Sequence, residues 1–280
     1  MTEEITSRLS AVSGLQVISR TSAVRYKGTD KTINQIGEEL NVQYAVEGTV
    51  RWERLGEGLG RVRITPQLIS VPDDSHVWSD RYDRAIESVF EVQSDIAAKV
   101  VGQLHVNLLQ PEQDALEARP TENLEAYEAY LRARHHTQVN DYDQAQLALA
   151  MYQRAVDLDS GFAAAWSRLA ITQTRISFLG WDRSGERCTA AQDAAERALE
   201  FDPGLPEGHV ARGLVFYQCN RDYENALAEL QRALAIPANY LDALAGRAWV
   251  LRRQGRGKES TALLEGGLEL SPMDSRAALD

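Results

Sequence analysis

The chain has 280 residues, 44% of them hydrophobic and 25% charged, a composition typical of a soluble globular protein with room for about two domains. No run of eighteen apolar residues predicts a membrane span, and Glu3 and Glu4 stand where a signal peptide would carry basic residues. The net charge is −11, and neither the first 110 residues nor the remainder is basic, which argues against direct nucleic-acid binding by this chain.

The first 110 residues alternate between helix and strand signals. The opening "MTEEITSRLS" predicts an amphipathic helix with Ile5 and Leu9 on its apolar stripe, and "LQVIS" predicts a short strand after it. Thr32 is placed to cap a second helix. Farther on, "YAVEGTVRWERLGEGLGRVRITPQLISV" predicts two strands joined by a turn, "HVWSDRYDR" is extended, and "SVFEVQSDIAAKVVGQLHVNLL" predicts a final helix.

The glycine cluster "GEGLG" at 56–60 has two interpretations. A phosphate-binding loop needs a helix to begin directly after it, so that the helix N-terminus faces the anion. Here the alternating strand "RVRITPQLI" follows instead. The pattern therefore favours a hairpin turn over a nucleotide-binding loop.

After Pro111 the strand signals stop, and a repeat begins. The charged, proline-containing stretch 111–123 predicts a linker, and the rest is rich in alanine and leucine. Four segments close a helix with the same spacing of a small, a large and a small residue followed by a turn residue. The matched positions are Ala148, Tyr152, Ala155 and Ser160; Ala191, Ala195, Ala198 and Pro203; Ala226, Leu230, Ala233 and Ala238; and Ser260, Leu264, Gly267 and Pro272.

This repeat resembles the tetratricopeptide repeat, in which small residues let two antiparallel helices approach closely. Trp166 and Leu169 match the first-helix pattern of the second unit, and "NRDYENA" matches the turn of the third. The second unit carries about nine extra residues around "SFLGWDRSGE" and the third carries one, while the leading helix of the first unit is hard to register. The resemblance implies an all-α solenoid of about four repeats over 124–280.

The first half has a resemblance of its own. "YAVEGTVR", "RVRITPQLIS", "HVWSDRYDR" and "VFEVQSDIA" resemble the amino-terminal domain of bacterial TolB-like proteins. That resemblance implies a small α/β domain with a mixed sheet over 1–110, so the chain as a whole is predicted to be α+β. In that family a strand precedes the first helix, and such modules follow cyclase, winged-helix or kinase domains. We therefore expect Met1 to be an internal or alternative start, with an effector domain upstream.

Candidates for chemistry are few. His135 and His136 are adjacent and would point about 100° apart on a helix, which suits one metal ion poorly. Cys188 and Cys219 do not make a disulfide framework and are interpreted as two helix-packing thiols in a reducing cytoplasm. No cyclase, kinase, hydrolase or phosphate-loop signature occurs, so we predict no catalytic, metal or cofactor-binding residues and no enzyme activity.

The repeats offer a binding surface instead. In such arrays the first helix of each pair lines a concave groove that takes a peptide or another domain. Arginines beside an aromatic residue could hold an acidic peptide, although the pattern somewhat favours a solvated face beside a packing tryptophan. Extending the register places seven residues on that face: Arg168, Arg175, Leu214, Tyr217, Trp249, Arg252 and Arg253.

The sequence thus predicts a non-catalytic module whose repeat groove recruits a protein partner, or an acidic peptide, or mediates self-association as a homo-oligomer. The rival prediction is the C-terminal regulatory tail of a larger adenylate cyclase or DNA-binding transcriptional activator. A cytoplasmic location is the default, and a periplasmic one becomes the alternative if a membrane span lies upstream.

Overall fold

A computed structural model of the chain describes residues 2–53, 61–85, 89–137, 141–182, 184–235 and 240–270. Within them the chain divides into two compact units, with the division between Ala118 and Arg119. The first unit contains a four-stranded sheet and several helices, and the second is helical. The α+β class predicted from the sequence is confirmed.

The first unit begins with helices and continues with the sheet. Its elements are α1 (Thr2–Ser10), α2 (Arg20–Ala23), α3 (Ile33–Leu40), β1 (Tyr44–Glu53), β2 (Arg61–Ser70), β3 (Ser75–Ser79), β4 (Tyr82–Ala85), α4 (Val89–Gln103) and α5 (Gln110–Glu117). The expected cap of α3 is present, because the Thr32 side chain accepts a hydrogen bond from the backbone N–H of Gln35. The last predicted helix ends earlier than expected, at Gln103.

Strand β2 is the centre of the sheet. It pairs antiparallel with β1 over its whole length, with β3 at one end and with β4 at the other. Because Glu53 lies opposite Arg61, the connection between β1 and β2 closes a hairpin, as predicted, although the glycines at 56–60 fall outside the described residues.

The expected mixed sheet is not found: all three described strand pairings are antiparallel. The segment "LQVIS" was predicted to be a strand, and a parallel pairing would have had to involve such an early strand. It forms no strand in the described part of the chain. Leu15 and Val17 nevertheless pack against the hydrophobic core, so their alternation reflects burial without a ladder.

The core of the first unit lies between one face of the sheet and helices α1, α4 and α5. Val62, Ile64 and Leu68 of β2 supply the sheet side and are at most 3% exposed. The predicted stripe of α1 is buried here, and so is Ile96 of α4. Period-two burial on β2 and helical periodicity on α4 therefore meet in one apolar layer.

Helix α5 lies inside the stretch that we predicted to be a linker. Leu116 joins the core, and the buried Glu112 carboxylate accepts hydrogen bonds from the backbone N–H groups of Ser13 and Leu109, both at 2.8 Å. These bonds, with the Ser13 side chain, lower the pKa of Glu112. Charge and proline content suggested a linker, but the buried carboxylate is paired and the apolar Leu116 anchors the helix.

Beyond Arg119 the described chain forms four consecutive helical pairs, which belong to the second unit as far as Gly267. They are α6 (Leu124–His136) with α7 (Tyr142–Leu158), α8 (Ala163–Phe178) with α9 (Glu186–Phe201), α10 (Pro206–Leu214) with α11 (Tyr223–Arg232), and α12 (Leu241–Arg253) with α13 (Gly257–Leu270). Between α10 and α11 the chain runs through a π-helical segment, Val215–Asn220. Helix α6 is the leading helix that the sequence could not register.

The repeat positions predicted from the sequence lie in the cores of these pairs. Tyr152 and Leu230 are fully buried, and the alanines matched with them are at most 1% exposed. In the third pair, a side chain at Gly213 would approach within 2.8 Å of Leu230, which shows how closely the two helices pack. Small residues are thus required where the helices meet. Ala238 and Pro272 fall outside the described residues.

Candidate functional site

Arg168 is the first of the seven predicted groove residues, and it is engaged within the protein. Its guanidinium lies 3.1 Å from the Asp242 carboxylate at the start of α12 and 3.4 Å from the Tyr240 hydroxyl. Arg168 and Asp242 each retain about 20% of their side-chain exposure. This ion pair joins α8 to a helix two units farther along the chain, so Arg168 carries a compensated charge rather than a free one.

Aromatic rings surround the same region. The ring of Tyr130 on α6 lies 5.8 Å from that of Tyr152 and 5.0 Å from that of Phe162. The guanidinium carbon of Arg134 lies 5.6 Å from the centre of the Tyr130 ring. Burial raises the pKa of both Tyr152 and Tyr240 well above the ordinary value, so both remain neutral phenols at physiological pH.

Arg175 lies two turns beyond Arg168 on α8. It donates a hydrogen bond of 3.2 Å to the backbone carbonyl of Thr137, the C-cap residue of α6. Carbonyl groups at a helix C-terminus lack intrahelical partners, and a cation satisfies them well. The structure therefore gives Arg175 a role in joining the first two pairs.

Leu214 and Tyr217 lie in a hydrophobic cluster between the third and fourth pairs, only 7% and 3% exposed. Trp249 packs against this cluster and is partly buried. Of the two interpretations of the tryptophan, the packing role therefore describes its surroundings. With so little exposure, both Leu214 and Tyr217 lie beneath the surface of the predicted groove rather than on it.

Four of the predicted residues lie at or beside the end of α12, together with one residue that the sequence analysis did not single out. The Nε–H of the exposed Arg253 donates to the Tyr217 hydroxyl at 3.4 Å, and the neighbouring Arg252 is exposed. The ring of Phe178, 37% exposed at the end of α8, lies 5.9 Å from the Tyr217 ring. We call Phe178, Tyr217, Trp249, Arg252 and Arg253 the aromatic–arginine patch; it draws on three successive first helices.

A disulfide bond fixes the segment that carries Tyr217. Cys219 in the π-helical segment is bonded to Cys188 near the start of α9, and the Ser177 hydroxyl lies 3.4 Å from the Cys188 sulfur. The interpretation of these cysteines as two packing thiols is therefore wrong. Their separation of 31 residues gave no indication of contact; the stacking of the second pair on the third brings them together.

The π-helical segment also accounts for the extra residue of the third unit. A π turn holds one more residue than an α turn, so it absorbs a single insertion without shifting the helices on either side. The extra residues of the second unit, in contrast, extend α8 to Phe178 and fill the connection to α9. Both insertions are visible in the sequence, and the insertion in the second unit supplies Phe178 to the patch.

The seven predicted residues thus separate into two groups. Arg168 lies beside the start of α12, whereas Arg253 lies at its end, about 16 Å along the helix axis at 1.5 Å per residue. Arg134, which faces Tyr130, was missed. Its signal was its place four residues after Tyr130, one helical turn along the same face.

Two further kinds of feature are absent from the described residues. No group of three or more histidine, cysteine, aspartate or glutamate side chains there is arranged to hold a metal ion. None of the described helices has the length and apolar character needed to cross a membrane.

Four antiparallel helical pairs with small residues at their contacts define a repeat region of the tetratricopeptide type, preceded by a small antiparallel sheet unit. No protein-family model matches the chain. The protein named "Putative adenylate cyclase 3" from Rhizobium meliloti (strain 1021) is 34% identical over 215 residues. The match covers 76% of this chain and 36% of that protein, so the matched part of this chain corresponds to about a third of its relative.

Solved structures with helical repeats are also similar in part. A thermophilic TPR protein of Thermus thermophilus, TTC0263, is 20% identical with a TM-score of 0.46, covering 67% of this chain and 88% of its own. YrrB, described as a TPR protein with an unusual peptide-binding site, is 25% identical with a TM-score of 0.35 over 56% and 74%. These scores are low, and the repeat assignment rests on the helical pairs themselves.

Proposed function

We propose that this chain is a non-catalytic protein-binding module whose repeat region captures an acidic segment of a partner at the aromatic–arginine patch. The single observation that carries the proposal is the junction of Phe178, Tyr217 and Arg253 across three successive first helices. Aromatic rings with adjacent arginines are the composition from which binding hot spots are commonly formed.

The charges of the patch favour an acidic ligand. Arg252 and Arg253 are exposed and next to each other, while Arg168 is compensated by Asp242 and contributes less to attraction. The chain as a whole carries a net charge of −11, so a local pair of guanidinium groups stands out against an acidic background. Such a contrast attracts acidic segments while the rest of the surface repels non-specific polyanions.

A peptide titration tests the proposal. Fluorescent peptides carrying several aspartates and one aromatic residue are titrated with the chain, beside basic peptides of equal length. We expect the double variant Arg252→Ala with Arg253→Ala to weaken acidic-peptide binding about tenfold, and binding to fall as salt rises. The readout is fluorescence anisotropy, with the melting temperature recorded for every variant.

The matched control removes two exposed arginines from second helices: Arg154→Ala with Arg197→Ala. This variant has the same net charge as the patch variant, so the effect of net charge alone appears equally in both. Equal affinity of the two variants, or no binding of acidic peptides by the parent chain, contradicts the proposal. Arg252→Ala alone keeps the bond between Arg253 and Tyr217 and separates loss of charge from a local rearrangement.

A second candidate function is the regulatory region of a larger signalling protein, such as an adenylate cyclase or a DNA-binding activator. The similarity to a cyclase-named protein, of which the matched 215 residues make up only 36%, supports it. The resemblance of the first unit to TolB-like amino-terminal domains supports it as well. Reading the gene upstream of Met1 is the test: an in-frame cyclase or winged-helix domain supports this function, and a stop codon directly upstream contradicts it.

The disulfide bears on where such a region works. Stable disulfides are typical of oxidising compartments and rare in a reducing cytoplasm. The Cys188–Cys219 bond therefore supports the periplasmic alternative over the cytoplasmic default. Labelling distinguishes the two compartments: cells are quenched rapidly in acid, and their free thiols are then reacted with a thiol-reactive polymer. A chain that gains no polymer mass supports the periplasm, whereas a chain that gains two polymers contradicts it.

A further inference from the structure

Strand β1 forms one edge of the sheet in the first unit. All ten of its residues pair with β2, and within the described residues no strand lies along its other side. Every second backbone N–H and C=O group of β1 therefore points away from β2. An edge of this length is a template for another strand, which natural proteins usually shorten, bend or cover.

The same strand carries apolar side chains on the core face of the sheet, outside the helical cover. Val46 lies opposite Leu68 and Val50 opposite Ile64, so both valines share the face that is buried on β2. Yet Val46 is 40% exposed and Val50 37%, and Tyr44 on the same face is 44% exposed. The core face thus extends one strand beyond the helices that cover it.

The opposite face of β1 carries charges that are complementary to themselves. Glu47 and Arg51 are exposed and lie two residues on either side of Thr49. If two copies of β1 pair antiparallel about Thr49, Glu47 of each copy stands opposite Arg51 of the other. Cross-strand neighbours of this kind lie about 5 Å apart at Cβ, close enough for ion pairs.

The surroundings of Arg51 within its own chain favour an acidic partner from outside. Its own cross-strand neighbour in the sheet is Arg63, another cation, and Arg63 is held by Asp83 at 2.6 Å. In the part of the chain that the structure describes, no carboxylate forms an ion pair with Arg51. Glu47 accepts a hydrogen bond from Gln67, which leaves its negative charge uncompensated.

We propose that two copies of this chain associate through an antiparallel β1–β1 pairing centred on Thr49. The pairing joins the two sheets, brings the exposed valines of both copies into one apolar patch, and forms two symmetric Glu47–Arg51 ion pairs. A two-fold axis requires that each surface be complementary to itself, and the charge order of β1 meets that requirement. This surface is separate from the aromatic–arginine patch.

Charge reversal is the first test. Glu47→Arg and Arg51→Glu each place two pairs of like charges opposite one another. The dimer dissociation constant of each single variant should therefore be about tenfold or more above that of the parent chain. An equimolar mixture of the two variants restores both ion pairs and should form heterodimers, and the double variant Glu47→Arg with Arg51→Glu should form homodimers. Sedimentation velocity over a range of concentrations gives the masses, with Glu38→Arg, an exposed reversal on α3, as control.

Crosslinking tests the register. Two Thr49 residues that face each other across the axis have Cα atoms about 4.5–5.5 Å apart, within the range that a disulfide spans. Thr49→Cys should therefore give a covalent dimer on mild oxidation. Glu53→Cys should not, because the two copies of residue 53 lie eight positions out of register, about 27 Å apart.

Each result of these experiments either supports or overturns the β1–β1 pairing. Dimers that follow the charge pattern and crosslink at residue 49 support the proposal. A parent chain that stays monomeric at all concentrations overturns it and leaves the edge to a strand from another protein or segment. A dimer unaffected by either reversal, or one that crosslinks equally at residue 53, also overturns it, because its interface would then lie elsewhere.

Discussion

The second helices of the four pairs and their first helices are built on different principles. Each second helix carries the same small-large-small spacing and meets its partner at buried alanine, serine or glycine positions. The first helices vary: α8 is extended by an insertion, α10 continues into a π turn, and Arg168 reaches a carboxylate 74 residues away. Contacts within a pair are thus repeated, whereas contacts between pairs are individual.

This difference separates stability from recognition. Repeated close contacts hold every pair together in the same way, so they contribute to stability without distinguishing one unit from another. The individual contacts gather Phe178, Tyr217 and Arg253 at one place and nowhere else among the described pairs. Changes to second helices should therefore affect the whole fold, and changes between first helices should act locally.

The largest effect is expected from Tyr152→Ala on the second helix α7. Tyr152 is fully buried and in contact with the ring of Tyr130, so its truncation leaves a large cavity and should lower the free energy of unfolding by about 4 kcal/mol. Urea denaturation followed by circular dichroism measures the change. Tyr152→Phe keeps the ring and should cost less than about 1.5 kcal/mol. Equal losses in both variants would show that the ring is not the stabilising group.

The next effect is expected from breaking the disulfide between α9 and the π-helical segment. In the chain-entropy account, a crosslink over 31 residues stabilises by about 3.7 kcal/mol, which the double variant Cys188→Ser with Cys219→Ser should lose. Hydrogen exchange should quicken in the second and third pairs while α6 and α7 keep their protection. The parent chain in a thiol reductant is the control, and faster exchange spread evenly over all four pairs would contradict a local role.

A smaller effect is expected at Glu229, which ties the first helix α10 to the second helix α11. Its buried carboxylate accepts hydrogen bonds from His209 and Arg212, each at 2.8 Å, and pairs with Arg232. Burial opposes ionisation, but these partners outweigh it and lower the pKa of Glu229. Glu229→Gln should therefore cost about 2 kcal/mol at pH 7.

The pH dependence of that cost gives the sign. A carboxyl whose pKa is lower in the folded state stabilises the fold above its unfolded value of about 4.3, and this contribution is lost as the pH falls through the folded value. The stability difference between the parent chain and Glu229→Gln should thus be constant near neutrality and shrink in acid. A difference that stays constant down to about pH 3, below the unfolded value, would mean that the charge of Glu229 contributes nothing.

The sequence predicted the repeated features well because their causes are local. The spacing of Ala191, Ala195 and Ala198 is set by one helix lying on its neighbour, and it can be recognised without knowing the rest of the fold. The hairpin of β1 and β2 was predicted for the same reason, since alternation and turn glycines are adjacent in the chain.

The features that were missed depend on residues far apart in the chain. Nothing near Cys188 signals Cys219, and nothing near Arg168 signals Asp242, because stacking of successive pairs creates both contacts. Of the predicted groove residues, Arg252 and Arg253 are exposed, whereas Leu214 is buried. The sequence could not predict this difference, because the helical register does not say which neighbouring helix covers a given face. Whether these residues bind a partner stays a prediction.

The π-helical segment has a consequence for how such an array can acquire a distinct surface. A single inserted codon changes the phase of a helix by about 100°, which in most helices would turn the apolar stripe away from its core. Here the phase slip is absorbed between Val215 and Asn220, and Leu214 before it and Ala226 after it both remain buried. The third repeat can therefore carry the disulfide bond to Cys188 and the contact between Tyr217 and Arg253, while its buried positions keep the pattern common to the repeats. The insertion of one residue is thus enough to give one repeat of the array a surface that the other repeats lack.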